Sequence, residues 1–404
     1  MAISDLSDIV RARKMELRGT MAICAVGAMI GVLFAGSTVV TPLYVIHKQQ
    51  FGFSQISLTL IYAAYVLGNL AALLVFGRLS DQIGRRRTAV IAMAIAIASA
   101  AVFLLARGIG SLYAGRILSG LAIGIGAGTA TAWLAELIAR EDKSRATIIA
   151  TTTNFLGLGI GALMSGMLAE YAPSPLRLPF IVYLVILVAV AVLVWSTRET
   201  VSHPATSTAQ LRPRLSVPPA IRTQFVAPAV TGFGAMALIG FYAALAPSLM
   251  AEQLHETSHA TAGAVLLELA VVVAVSIVAT KSLSSRAAML WGLALMIPSV
   301  VLLVAAEAAG SMVLMIVATA ACGIAAGLGY RGSLQVVNQI APQDRRAEVV
   351  SSYLVCVFMG NALPVIGVGV ISTLADPTTA SLLFALLISV FAVGALFFGI
   401  KYRK

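Results

Sequence analysis

An all-α, polytopic membrane fold of twelve transmembrane helices is what this sequence predicts, and three observations carry the expectation. Sixty per cent of the 404 residues are hydrophobic and only 11% are charged, where a soluble chain carries roughly a quarter charged residues. Apolar runs of about 20 residues, the length an α-helix needs to cross a hydrocarbon core, recur along the whole chain. The basic residues are also sorted. Of the 27 Lys and Arg, 22 fall in the termini and in the loops that follow even-numbered runs. Lys48, Arg107 and Arg177 fall on the other side, and Arg116 and Arg331 lie inside runs. Lys and Arg accumulate in cytoplasmic loops, so both termini are expected in the cytoplasm. The net charge of +11 then sets topology, and no nucleic-acid partner is implied.

The segment up to Arg18 holds Asp5, Asp8, Arg11, Arg13 and Lys14. It reads as an amphipathic stretch on the cytoplasmic face rather than a cleavable signal peptide, because it runs directly into a full-length span. The first span covers Thr20–Val45, and Phe51–Gln55 turns into the second, Leu58–Phe76. The third is Thr88–Ala106 and the fourth Leu112–Ile138, followed by a charged link, Arg140–Arg145. The fifth ends near Glu170, Pro173-Ser174-Pro175 breaks the chain, and the sixth is Leu178–Thr197. From Arg198 to Arg222 the texture changes to Pro204, Pro213, Pro218, Pro219, four arginines and no apolar period, which is a linker. Six further spans follow near Phe225–Met250, Ala260–Ala279, Ala287–Ala306, Met312–Asn338, Val349–Leu374 and Ser381–Ile400. The expected organisation is a six-helix bundle over residues 1–197, a cytoplasmic linker over 198–222 and a second six-helix bundle over 223–404.

The two halves are pseudo-symmetric. Gly124–Ala146 ends in Leu-Ile-Ala-Arg-Glu-Asp-Lys-Ser-Arg-Ala, and Gly327–Ala347 ends in Gln-Ile-Ala-Pro-Gln-Asp-Arg-Arg-Ala. Repeated halves around a midplane site are what alternating access requires. Between the second and third spans stands Gly77-Arg78-Leu79-Ser80-Asp81-Gln82-Ile83-Gly84-Arg85-Arg86-Arg87. Charges this dense cannot lie in hydrocarbon, so the stretch is a tight water-facing turn, and its glycines allow a sharp change of direction. The counterpart in the second half, Ala279–Arg286, is shorter and lacks the aspartate.

Gly-x-x-x-Asp-x-x-Gly-Arg-Arg at this place resembles the signature loop of the major facilitator superfamily of secondary transporters, departing from it at Gln82. The twelve spans split by a basic linker resemble that family's layout as well. The resemblance implies that Asp81 lies against the N-terminal end of the eleventh helix, here near Arg346–Val349, where the helix dipole favours an anion. It also implies that Arg85 pairs with an acid at the end of the fourth helix, the position of Glu136. Gly77, Asp81, Gly84, Arg85, Arg86 and Glu136 would then form a cytoplasmic latch that holds the halves together while the site faces outward. The alternative is that these charges only set topology.

Arg116 matches the family's fourth-helix arginine, tied in exporters to proton coupling; the alternative is snorkelling to the outer interface. Glu268 sits deep in the eighth span, in Val-Leu-Leu-Glu268-Leu-Ala-Val. Desolvation penalises a charged carboxylate, which makes it a proton site or an anchor for a cationic substrate, or else a structural glutamate. Arg331 either snorkels or binds an anionic substrate group. Tyr65, Asn154, Tyr242 and Asn361 stand at mid-span depth and line a cavity or join helices. Gly157–Gly166 resembles a worn antiporter motif, with Ala162 in place of its proline, and equally reads as a packing face.

Cys24, Cys322 and Cys356 lie in apolar runs and read as buried free thiols. No metal site is expected, since the four His are not clustered with carboxylates, and no cofactor, since there is no phosphate-binding loop. No pair of deep carboxylates suggests an enzyme. The resemblance implies a monomeric secondary transporter of a bacterial cytoplasmic membrane, embedded in the bilayer and moving a small-molecule substrate. The favoured reading is proton-coupled efflux of a small hydrophobic compound or metabolite. A proton-coupled importer of a small organic solute and a transport-inactive sensor or scaffold stay as alternatives. The first span carries no acid, unlike many drug–proton antiporters, which moves the weight of coupling onto Glu268.

Overall fold

The computed structural model describes residues 16–77, 79–138, 143–201 and 215–401. Among them, twelve helices are long and apolar enough to cross a membrane. They are α1 (Gly19–Thr38), α2 (Gln55–Phe76), α3 (Arg85–Leu104), α4 (Ile109–Leu137), α5 (Lys143–Tyr171) and α6 (Leu178–Trp195), then α7 (Arg222–Gln253), α8 (His259–Ala279), α9 (Ser285–Ala308), α10 (Met312–Ile340), α11 (Arg346–Leu374) and α12 (Pro377–Lys401). All twelve expected spans are present. The N-terminal stretch before residue 16, the middle of the expected linker and residues 140–142 of the charged link lie outside the described residues.

Helix starts follow local chemistry. Ser54, Ser258, Ser284 and Ser311 each accept a bond from the backbone N–H three residues on, at 3.2, 3.2, 3.3 and 3.4 Å. Each thereby satisfies a donor that the first helical turn leaves unpaired. One expected span is corrected. The run Thr20–Val45 is not one helix: α1 stops at Thr38, and a second short helix, Tyr44–Phe51, follows a turn. Pro42 lies in that turn and has no N–H to continue the ladder. The loop between α2 and α3 is also more ordered than a bare turn, since Leu79–Ile83 is helical.

One buried core gathers residues between Val26 and Val194. The other gathers mainly residues between Ala235 and Ala395, and Tyr62, Phe155 and Ala162 reach into it. The joint between them rests on small residues. A Cβ at Gly157 or Gly161 of α5 would lie 2.2 Å from Gly31 O or 2.5 Å from Ala35 O of α1. On the opposite side of α5, a Cβ at Gly166 would lie 2.2 Å from His259 O of α8. These glycines let three backbones approach closely, which is the packing use of small residues in membranes. Ser165 adds a bond to Val39 O at 2.5 Å. On the other side of the molecule, Thr59 of α2 packs against Gly369 of α11.

The loops α2–α3, α4–α5, α8–α9 and α10–α11 lie at one end of the helices, called the basic end below; the other is the far end. Of the cysteines, Cys322 is buried and Cys356 half-buried, but Cys24 is exposed on α1, against the expectation of three buried thiols.

Candidate functional site

A cavity of about 580 Å³ lies at the centre, lined by α1, α2, α4, α5, α7, α8, α10 and α11. Its walls reach the basic end at Leu73, Ala135, Thr147, Leu334 and Val350. On α7 its lining reaches Ala243, and toward the far end residues 244–250 of that helix are all buried. The far end is tied shut between the two halves. Lys48 Nζ meets Glu252 Oε1 at 3.3 Å and Gln55 Oε1 at 3.0 Å. Glu170 Oε2 accepts from His259 N at 2.9 Å and so caps α8.

The cavity wall is mostly apolar, with Phe34, Phe155, Leu266, Leu269 and Phe358 among its members. Among the described residues, no Asp, Glu, Lys or Arg lines it. Such a wall binds by removing apolar surface from water, at roughly 25 cal/mol per Å². A few polar groups then set orientation. Here these include Tyr62, Tyr65, Asn69, Asn154 and Asn361. Three of them bridge the halves: Tyr62 and Tyr65 of α2 donate to Asn361 Oδ1 of α11 at 2.9 and 2.6 Å. Asn361 Nδ2 donates to Met236 O of α7 at 3.2 Å.

Behind Tyr62 and Tyr65 stands Arg116 of α4. It is 0% exposed, so it does not snorkel. Its Nε donates to Tyr44 Oη at 2.8 Å and its Nη1 to Ser37 O at 2.5 Å, and Nη2 also reaches Tyr44 Oη. The guanidinium carbon lies 5.3, 5.4 and 5.8 Å from the ring centres of Tyr44, Tyr62 and Tyr65. Ring faces attract a cation, which repays part of the cost of burying one.

The other residues singled out from sequence are dispersed. Tyr65, Asn154 and Asn361 line the cavity; Tyr242 is fully buried between α7 and α10, where Thr319 Oγ1 donates to its hydroxyl at 3.2 Å. Glu268 is half-buried and outside the lining. It shares its stripe of α8 with exposed Ala264, Val271 and Val275. Arg331 caps the end of α8, donating to Thr280 O, Lys281 O and Leu283 O at 2.7, 3.0 and 3.1 Å. Carbonyls at a helix C-terminus favour a cation.

At the basic end, the signature loop, α4 and the segment after α6 form one charged cluster. Arg85 Nη2 meets Glu136 Oε1 at 2.8 Å, and Arg85 Nη1 meets Asp81 Oδ1 at 2.5 Å. Asp81 remains 57% exposed. Gly77 caps the end of α2. Glu199, a residue the sequence reading did not single out, accepts from Arg85 N at 2.9 Å and Arg86 N at 3.0 Å. It thereby caps α3, where the helix dipole favours an anion. Gly84 makes room for it: φ is +98°, and a Cβ would lie 2.6 Å from Glu199 Oε2. Thr200 donates to Glu136, and the Arg86 guanidinium lies 5.7 Å from the Trp195 ring centre.

At the far end, His47 on the short helix is 2% exposed, and neither ring nitrogen has a hydrogen-bond partner among the described residues. Burial holds its pKa down at about 4.

Comparison with known proteins agrees with this architecture. Two crystal structures of a bacterial homolog to the human lysosomal transporter Spinster match with TM-scores of 0.74. One, inward-facing and unoccupied, is 14% identical, covering 95% of this chain and 98% of that one. The other, inward-facing and occupied, is 16% identical and covers 94% and 95%. Three uncharacterized transporters of Schizosaccharomyces pombe are each 28% identical over 135 residues, which is 33% of this chain and 28% of theirs. The family model of the Major Facilitator Superfamily matches residues 26–364. This chain therefore belongs to the major facilitator superfamily and is a multi-pass membrane protein.

Proposed function

We propose that this transporter exports a small, largely hydrophobic compound in exchange for protons, working as a monomer by alternating access in a bacterial cytoplasmic membrane. The observation that carries the reading is the central, mostly apolar cavity, which reaches the basic end and is closed at the far end. Basic loops mark the cytoplasmic side. With the basic end in the cytoplasm, the cavity is open on the side from which an exporter takes up its cargo, and its mostly apolar wall suits a hydrophobic one. The moving parts are the bundle 1–197 and the bundle 223–404, joined by the linker 198–222.

In this reading the charged cluster of Gly77, Asp81, Gly84, Arg85, Arg86 and Glu136 is a latch for the opposite state. The partly exposed Asp81 meets the N-terminal end of α11 once the basic end closes. The dipole of that helix favours the contact. Glu268 is the proton-exchanging carboxyl, reached from the side of α8 that faces away from the cavity.

The test is growth of an efflux-deficient host on a panel of toxic apolar compounds, with wild type, Asp81→Asn and Glu268→Gln expressed to equal levels. Protection by wild type and by neither variant is expected. Protection by Asp81→Asn equal to wild type contradicts the latch. Protection by Glu268→Gln removes that residue from coupling. No protection by wild type contradicts export and points to import, to be read by solute uptake.

A further inference from the structure

Among the polar groups of the cavity wall, which also include Ser37, Thr38, Thr131, Thr147, Thr151 and Tyr330, three stand in register. Tyr62, Tyr65 and Asn69 recur at i, i+3 and i+7 on α2, so they form one stripe on the cavity wall. All three are hydrogen-bond donors. The tyrosine hydroxyls now donate to Asn361 Oδ1. Asn69 is 3% exposed and its Nδ2 has no acceptor among the described residues. One ring's thickness behind this stripe lies Arg116, with its guanidinium on the faces of Tyr62 and Tyr65. Arg116 donates, among the described residues, only to neutral partners, Tyr44 Oη and Ser37 O. Among the described residues, no carboxylate pairs with Arg116 or lines the cavity.

We infer that this cavity selects apolar molecules carrying a single negative charge and rejects organic cations; the inference rests on the cavity being the transport site proposed above. An anion seated on the α2 stripe meets the unpaired Nδ2 donor of Asn69 and competes with Asn361 Oδ1 for the two tyrosine protons. It also feels the uncompensated charge of Arg116 through walls of low dielectric, where charge complementarity is strongest. A cation there loses its water, finds no carboxylate and faces a positive potential. The selectivity thus comes from a charge that the ligand does not touch, relayed by two aromatic rings. Glu268, like Arg116, stands outside the wall, but it lies on the outward stripe of α8, whereas Arg116 is fully buried against the rings of the lining tyrosines.

The experiment uses the purified full-length protein at pH 7.5 and three labelled probes of one shape: 1-naphthylacetate, 1-naphthylacetamide and 1-naphthylmethylammonium. Equilibrium dialysis reads their Kd values. The acetate is expected to bind at least tenfold tighter than the ammonium, with the acetamide between. Equal or tighter binding of the ammonium overturns the inference, as does failure of the acetate to bind. Arg116→Gln is expected to shrink the acetate-to-ammonium ratio below threefold, and Arg116→Lys to keep it. A wild-type ratio in Arg116→Gln overturns the role of that charge. Should Arg116→Gln not fold, Asn69→Leu is expected to weaken acetate at least threefold while leaving the ammonium unchanged, and equal loss for both overturns the donor stripe. Proteoliposome flux separates the two readings. Flux of the acetamide with no preference for acetate sinks the charge inference and leaves transport standing. Preferential acetate binding with no flux of any probe does the reverse.

Discussion

Replacing Asn361 by Leu keeps the side chain's size and removes both polar atoms that Asn361 contributes to the bridge between α2 and α11. Asn361 is 3% exposed and takes part in three hydrogen bonds, at 2.9, 2.6 and 3.2 Å. Tyr62, 2% exposed, is left with a buried hydroxyl and no acceptor, which costs about 1–3 kcal/mol. Tyr65 lines the cavity and can turn to water, so its loss is nearer the net value of one bond, about 1 kcal/mol. Met236 O loses its donor at a similar cost, about 1 kcal/mol. The sum is about 3–5 kcal/mol against the state in which the basic end is open. If the bridge belongs to that state alone, the balance between states shifts by a factor of about 100 or more, at 1.4 kcal/mol per tenfold. The assay is the distribution of interspin distances between labels on Gln49 and Thr257, both exposed at the far end, in detergent, with wild type and Asn361→Leu. The variant is expected to move most of the population to a longer far-end distance. An unchanged distribution together with an unchanged Tm refutes the bridge as a state-specific tie.

Two further outcomes follow from the ends of the molecule. Gly84→Ala sets a Cβ against Glu199 Oε2 at a backbone φ of +98°; strain of about 1–2 kcal/mol and a lost cap of about 1 kcal/mol are expected. The loss in Tm should be smaller in a Glu199→Ala background, and equal losses in both backgrounds contradict the cap. His47, outside the twelve spans, has its pKa held down at about 4 by burial, against about 6.5 in the unfolded chain. Below 6.5 the unfolded form binds the extra proton, so stability is full above that pH and is lost as pH falls toward 4, by at most about 3 kcal/mol. Tm should drop between pH 7 and pH 5 in wild type and drop less in His47→Gln. An equal drop in both places the pH effect elsewhere.

The twelve spans were legible because hydrocarbon imposes length and charge sorting on any chain that crosses it. The pairing of Arg85 with Glu136 was legible through the resemblance of the loop to the superfamily's signature, since charge density alone demands a water-facing turn and names no partner. Azimuth was not legible. In a soluble helix the polar face marks the outside, but here lipid and protein are both apolar, so Glu268 and Asn69 look alike in sequence. The structure turns Asn69 to the cavity and sets Glu268 on an outward stripe. Tyr62 was passed over beside Tyr65 for the same reason. Glu199 was hidden differently: it stands in a segment read as linker, and only the left-handed backbone of Gly84 gives it a place. The break in the first span was marked by Pro42, but proline is common inside membrane helices, four of which remain unbroken in α7, α9 and α11.

The central claim is that the two ends open in turn around one cavity. Two spin-label pairs test it most directly: Gln49 with Thr257 across the far end, and Ala135 with Leu334 across the basic mouth, read by double electron–electron resonance in lipid nanodiscs with and without a transported compound. The account predicts opposite movements, the basic pair shortening in the same fraction of molecules in which the far pair lengthens. Distances that lengthen together, or a basic mouth that stays open under every condition, contradict alternating access in this chain.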